Sequence, residues 1–354
     1  MGAFRRGFTC RNPLVLLVAA LLLVPGLSVL ANFFAGGYWT LVPLERWMRT
    51  VGDSYTYVSW TVGHAKHASP EGPTVYLLGG SAAREAIVSG EALADDVLNL
   101  GGPAITAYDL GSNDQNFAES FAVVDNVQDT PAWVLIGLNL GRFTPEKQDS
   151  IDGARGRDFL LESPALQRFV ADEWGVSTRT TILAGIVAYL TDLAERRGRG
   201  LLKGQAMSRG YRQHRYSTRN VPSKSRKERL TEAWLDERYP AFERNRGVNL
   251  QVLEALLARS RERGLQVVLV ELPLNEAIVR GRFDAAQAEY QRPVRALAKR
   301  YGAPYIDFND QLDLPDADFY DLSHLVEPGR VVWQAELARE LARLYHDGTL
   351  RETL

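Results

Sequence analysis

Thr74-Val75-Tyr76-Leu77-Leu78-Gly79-Gly80-Ser81, followed by the helix-forming residues 82–87, is the stretch that decides the fold. A short run rich in β-branched and aromatic residues ends in a glycine pair and passes into a helical stretch, which reads as strand, tight turn, helix. The same alternation recurs along the chain. Residues 97–100 form a second short apolar run, ending in Gly101-Gly102-Pro103, and a helical stretch follows with Tyr108, Phe117, Phe121 and Val124 as its buried positions. Residues 133–136 form a third, ending in Gly137-Leu138-Asn139. Later, a helix over 250–261 with its stop at Gly264 precedes the β-branched run 266–270. A helix over 284–300 leads to Pro304-Tyr305-Ile306-Asp307-Phe308, and a last helix covers 331–345. Short apolar strands alternating with helices predict an α/β fold, a parallel sheet covered on both faces. In such sheets functional groups collect at the carboxyl ends of the strands. Ser81, Gly102 and Asn139 are all expected at that edge.

Working outward, residues 141–245 interrupt the alternation. They hold a fairly apolar helix over 181–193 and then a basic stretch from Arg196 to Arg229, including Arg197, Arg199, Lys203, Arg209, Arg212, Arg215, Arg219 and Lys227. We read this segment as an α-helical basic insertion in the α/β domain. Its cations are expected either in a solvated loop or against anionic lipid or an anionic polymer. Nucleic acid is not expected, since no aromatic stacking platform accompanies the charges. Residues 36–73 read as a connector ahead of the α/β domain, whose halves 74–140 and 246–350 are separated by the insertion 141–245.

The N-terminus has its own signature. Residues 13–35 are almost wholly apolar, close to the roughly 20 residues that a membrane-crossing helix needs. Arg5, Arg6 and Arg11 precede them and no acidic residue occurs before Glu45. Positive-inside logic puts residues 1–12 in the cytoplasm and everything after the apolar stretch on the other side, with Tyr38 and Trp39 at the far interface. The competing reading is a cleaved signal peptide ending near Val29-Leu30-Ala31. Both readings place the rest of the chain outside the cytoplasmic membrane. The lone cysteine, Cys10, permits no intrachain disulfide. A composition of 45% hydrophobic and 24% charged residues excludes overall disorder, and a net charge of −2 gives no reason to expect a polyanionic partner for the whole molecule.

A serine on a strand-to-helix turn becomes a nucleophile only if a base takes its proton and donors hold the developing oxyanion. Of the histidines His64, His67, His214, His324 and His346, only His324 follows a carboxylate in a loop that leads to the last helix, in Asp321-Leu322-Ser323-His324. An Asp-x-x-His turn orients the imidazole through one ring nitrogen and frees the other for the serine. Asn139 taken alone caps a helix. Arg84 and Arg142 are expected as solvated helix residues, with an anionic substrate group as the alternative partner.

Taken together these motifs resemble the blocks of the SGNH/GDSL hydrolases. Leu78-Gly79-Gly80-Ser81 resembles the first block and Asn99-Leu100-Gly101-Gly102-Pro103-Ala104 the second. Gly137-Leu138-Asn139-Leu140 resembles the third, and Asp321-Leu322-Ser323-His324, with Gly329 beyond it, the fifth. The resemblance implies a three-layer, flavodoxin-like SGNH domain with Ser81, His324 and Asp321 as the triad. It also implies an oxyanion hole from the backbone of Ser81 and Ala104 and the side chain of Asn139, with Gly102 as the fallback donor. Three positions depart from the family pattern: Gly80 stands where aspartate is usual, Ala104 where glycine is, and Leu140 where aspartate often follows the asparagine. The implied activity is that of a serine esterase or O-acyltransferase acting on acyl esters of an envelope polysaccharide or glycan, with no metal or organic cofactor. A non-catalytic envelope protein that keeps the fold, and a phosphate-binding turn at Gly79-Gly80-Ser81, are the competing readings.

Overall fold

The computed structural model describes residues 13–128, 131–155, 161–178, 182–202, 211–309 and 311–352, those at 13–16, 19–20, 182–183 and 200–202 by backbone only. Arg5, Arg6, Cys10, Arg11, Lys203 and Arg209, on which parts of the sequence reading rest, lie outside the described residues. The fold is α/β. Strands β1 (Thr74–Leu78), β2 (Thr106–Asp109), β3 (Ala132–Leu138), β4 (Gln266–Glu271) and β5 (Tyr305–Ile306) form a sheet in the order β2-β1-β3-β4-β5. Every pairing is parallel.

The strand period of two divides the core into two layers. Tyr76 and Leu78 of β1, Val134 and Ile136 of β3, and Leu269 of β4 face one side, with Phe121, Phe242, Leu253 and Tyr290 from the covering helices. Val75 and Leu77, Trp133 and Leu135, and Val268 and Val270 face the other, against Leu93, Trp333, Leu337 and Leu341. Burying an aliphatic or aromatic side chain of this kind contributes about 1.5–3 kcal/mol, so near-continuous apolar strands are what a sheet covered on both faces requires.

The expected second strand is corrected. Residues 97–100 belong to the helix Gly90–Asn99 and its C-cap, and the strand that pairs with β1 is Thr106–Asp109. A run as short as Val97-Leu98-Asn99-Leu100, with three apolar residues of four, does not distinguish strand from helix. Here Leu93 and Val97, four positions apart, are buried while 98–100 are all exposed, as helical geometry demands. Gly101, at φ 81°, ends the helix, and the Gly102 N–H donates to the Val97 carbonyl at 2.9 Å. Tyr108, expected on a helix, lies on β2.

Segment 141–245 contributes to the first core layer. Its helices Lys147–Ala154 and Pro164–Trp174 bury Ile151, Leu166 and Val170 in the first core layer, and the long helix Tyr239–Glu262 starts within it. The connector also joins that layer, through Val58 and Val62 of the helix Ser54–Ala65.

The apolar N-terminal stretch is one helix, Pro13–Ala35. Among the described residues no helix is long and apolar enough to cross a membrane. Leu21, Leu22, Leu23 and Val29 of this helix are exposed, and its end packs on the domain through a cluster of Phe34, Trp39, Ile186 and Tyr189.

Candidate active site

Ser81 sits at the carboxyl edge of the sheet, where β1 has β2 on one side and β3 on the other. That reversal of strand order is where open α/β sheets form their binding crevice. The turn is built tightly. A Cβ on Gly79 would stand 2.7 Å from the Ala83 Cβ, so a glycine is required there. Gly80 meets nothing within 4 Å, so the aspartate expected from the resemblance is absent without a steric cause. The buried Gln115 side chain accepts the Gly79 N–H at 2.9 Å, and the Gly79 carbonyl accepts the Ser112 N–H at 3.0 Å. Ser81 opens the short helix Ser81–Arg84, so its N–H is among the first-turn donors without an intrahelical partner.

His324 and Asp321 come from the other end of the chain, on a loop closed by an antiparallel bridge between Phe319 and Leu325. The Ser81 Oγ and His324 Nε2 are 2.7 Å apart. The opposite ring nitrogen, Nδ1, is 2.8 Å from both Asp321 carboxylate oxygens. An ionised carboxylate only accepts, so Nδ1 carries the proton and Nε2 accepts from the serine hydroxyl. Asp321 also accepts the backbone N–H groups of Ser323 and His324 at 3.0 Å each. Burial pushes the Asp321 carboxyl up, but its bonds to His324 and to these N–H groups outweigh that and hold it below its ordinary value.

Asn139 follows β3 at the height at which Ser81 follows β1, because Leu78 pairs with Ile136 and each site residue lies three positions further on. Its Oδ1 caps the turn Leu140–Phe143 by accepting the Arg142 N–H at 3.2 Å. That bond fixes the amide and leaves Nδ2 as its donor.

Ala104 is corrected. It precedes β2, and Thr106 donates to the carbonyl of Pro73, ahead of β1; a Cβ on Gly72 would stand 1.9 Å from the Ala104 oxygen. Ala104 therefore lies at the amino edge of the sheet, away from Ser81. Gly102 is buried against Val97 and Ala342 at the same end, so neither it nor Ala104 can serve the oxyanion. The loop that does run beside Ser81 is Gly111-Ser112-Asn113-Asp114. A Cβ on Gly111 would reach within 2.4 Å of the Arg84 nitrogen, and Asp114 takes a positive φ of 52°.

Arg84 and Arg142 are buried, not solvated. Arg84 binds the Glu85 carboxylate at 3.0 Å and the side chain of Asn113. Arg142 donates to the carbonyls of Gly137 and Asn116 and to Ser120 Oγ, and stacks over Phe117 at 4.1 Å. Both guanidiniums are committed to the architecture of the turns.

Several supporting residues escape sequence reading. Residues 211–217, from the basic segment, strap the site. Gln213 donates to Asp109 at 2.6 Å, the Arg215 N–H to Glu85 at 2.9 Å, and the Tyr216 ring packs 4.6 Å from that of His324. Lys227 is fully buried, binding Asp316 at 2.6 Å and the Phe319 carbonyl at 2.7 Å, which props the Asp-His loop. Asn275, after β4, holds the same loop through the Asp321 carbonyl at 3.0 Å. Nothing local in the sequence marks these residues, since their partners are far along the chain. Arg197 likewise donates to the backbone carbonyls of Glu45 and Arg46, whereas Arg196, Arg199, Arg219, Lys224, Arg226 and Arg229 are exposed. Among the described residues no group of three or more His, Cys, Asp or Glu is arranged to hold a metal ion.

No protein-family model matches the chain, and no curated protein matches it.

Proposed function

We propose that this chain is an SGNH-type serine esterase or O-acyltransferase that acts on the extracytoplasmic side of a membrane. The observation that carries the proposal is the unbroken hydrogen-bond chain from Ser81 Oγ through His324 to Asp321, at 2.7 and 2.8 Å. A serine hydroxyl, an imidazole in the right tautomer and an orienting carboxylate are the parts of a nucleophilic acyl-transfer site.

In this reading Ser81 Oγ attacks the carbonyl carbon of an ester, and His324 Nε2 takes the hydroxyl proton. The carbonyl oxygen becomes an oxyanion, held by the Asn139 Nδ2 group and the Ser81 N–H. The bond from carbon to the leaving oxygen then breaks, and His324 returns its proton to that oxygen. An ester of Ser81 remains. Water or a sugar hydroxyl attacks it, and His324 takes the proton of the attacking group and passes it to Ser81 Oγ as the acyl group departs. The apolar, arginine-flanked N-terminus supports a place outside the cytoplasmic membrane, and acyl esters of an envelope glycan are the proposed substrates.

Labelling with a fluorophosphonate probe tests the reading. Wild type is expected to label and to release short acyl groups, and Ser81→Ala and His324→Ala to do neither. A wild-type protein that is folded yet neither labels nor turns over would instead be a binding or assembly module.

A further inference from the structure

A cavity opens on the β4 side of Asn139, and the mechanism above leaves it without a role. It measures about 110 Å³ and begins at Asn139 and Ser323, the neighbours of the serine and the histidine. Leu272, Leu274, Trp234 and Phe283 wall it, the last two with ring centroids 4.7 Å apart. At its base Glu271 is buried, with Tyr290 donating to one carboxyl oxygen at 2.6 Å and Tyr305 to the other.

We infer that this cavity receives the acyl chain of the substrate and limits it to short, uncharged acyl groups. The inference rests on the acyl-transfer reading of Ser81. Its geometry follows from Asn139, which both lines the cavity and offers Nδ2 beside Ser81. With a carbonyl oxygen on that amide and its carbon at Ser81 Oγ, the acyl chain and the leaving oxygen diverge to either side of the carbonyl oxygen. The arm on the β4 side meets the cavity, and its apolar wall of Trp234, Leu272, Leu274 and Phe283 suits the acyl chain rather than a sugar. A dry cavity of about 150 Å³ holds benzene, so 110 Å³ suits an acyl chain of about two to four carbons. Burial raises the Glu271 carboxyl to about 8, against the lowering effect of the two tyrosine hydroxyls, which leaves the base of the cavity uncharged at neutral pH. An anionic acyl group would find no cation in this wall.

The test is the chain-length profile of the full-length protein in detergent, with p-nitrophenyl acetate, butyrate and octanoate as probes and fluorophosphonate labelling in parallel. Wild-type kcat/KM is expected to fall at least about tenfold from butyrate to octanoate, the scale on which a pocket rejects surplus methylenes. Trp234→Ala should raise octanoate turnover about tenfold relative to acetate. Leu274→Phe should cut butyrate turnover by a similar factor and spare acetate, and it keeps the test alive if Trp234→Ala does not fold. A labelled, active enzyme with a flat acyl profile, or with a profile that folded Trp234→Ala and Leu274→Phe both leave unmoved, overturns the inference. So does a profile in which these variants alter only the preference for the leaving alcohol. If Ser81 neither labels nor turns over, the acyl-transfer reading fails first and the cavity assignment falls with it.

Discussion

Glu85 and Arg330, 245 positions apart, bind each other in the interior just behind Ser81, each with almost no exposed side-chain surface. The Arg330 guanidinium also donates to the Tyr216 and Leu325 carbonyls at 2.9 Å each. One buried ion pair thus joins the helix turn after the serine, the strap and the end of the Asp-His loop. Its Glu85 carboxyl is pushed up by burial, but its bonds to His214 and the Arg215 N–H and the charges of Arg330 and Arg84 prevail, and it lies at about 2.

Removing that charge leaves Arg330 and Arg84 without their buried counter-ion. Glu85→Gln is expected to cost about 3–5 kcal/mol, the scale for breaking a buried pair from one side. The folded-state value lies below the ordinary 4.5, so Glu85 contributes stability above about pH 4.5 that is lost as pH falls toward 2. The gap in Tm between wild type and Glu85→Gln should therefore narrow over that interval. A gap independent of pH from 5 to 2.5 would contradict the assignment.

Asp109 behaves in the opposite way. It is buried at the end of β2, and burial raises it to about 7 despite the hydrogen bonds of Gly111 and Gln213 and the charges of His214 and Arg84. The unfolded carboxyl ionises near 3.8 while the folded one still holds its proton, so stability falls as pH rises from about 4 to about 7. Asp109→Asn mimics the protonated form. Thermal unfolding should show it matching wild type near pH 4 and gaining on it up to about pH 7, with no further gain above.

Asp321→Asn keeps the shape of the loop but removes the charge that orients and stabilises the imidazole. Turnover of p-nitrophenyl acetate should fall by about 10⁴ in kcat, as for an orienting carboxylate in a serine triad. The far-ultraviolet circular dichroism spectrum should not change. A loss of less than about tenfold would mean that Asp321 does not serve His324 in catalysis.

The two glycines before Ser81 should respond differently. Gly79→Ala drives a methyl group to 2.7 Å from the Ala83 Cβ, so either the end of β1 or the short helix must move. Overpacking of this kind costs about 1–3 kcal/mol, and the rate of fluorophosphonate labelling should drop with it. Gly80→Ala enters open space at an ordinary φ of −68° and should change stability by no more than about 0.5 kcal/mol. Chemical denaturation of both variants distinguishes them.

The parts of the site that were legible share one property. In 74–81, 133–139 and 321–324 the functional residue lies within a few positions of the break that ends its strand or orients its loop, so local sequence carries both facts. The run 97–100 reads as a strand because it is mostly apolar and ends in glycines, yet the buried positions are Leu93 and Val97, four apart, while 98–100 are all exposed, which is the spacing of a helix. Placing the backbone donor at Ala104 followed from that error. The burial of Arg84 and Arg142 was also invisible, since a charged residue on a helix is exposed unless partners are brought to it.

Alone, then, the amino-acid sequence determined the α/β class, the ends of β1 and β3, and the candidates Ser81, Asp321 and His324 that the fold brings into one hydrogen-bond chain. It could do so because hydrophobic period and turn chemistry act over a few residues. The tertiary structure alone decided which loop flanks the serine, how residues 211–217 and Lys227 become supports of the site, and where a cavity opens behind Asn139. Those outcomes depend on contacts such as Glu85 with Arg330 and Lys227 with Asp316. Each pairs residues from distant parts of the chain, and their approach is set by the packing of the whole sheet and its helices, which no single stretch specifies.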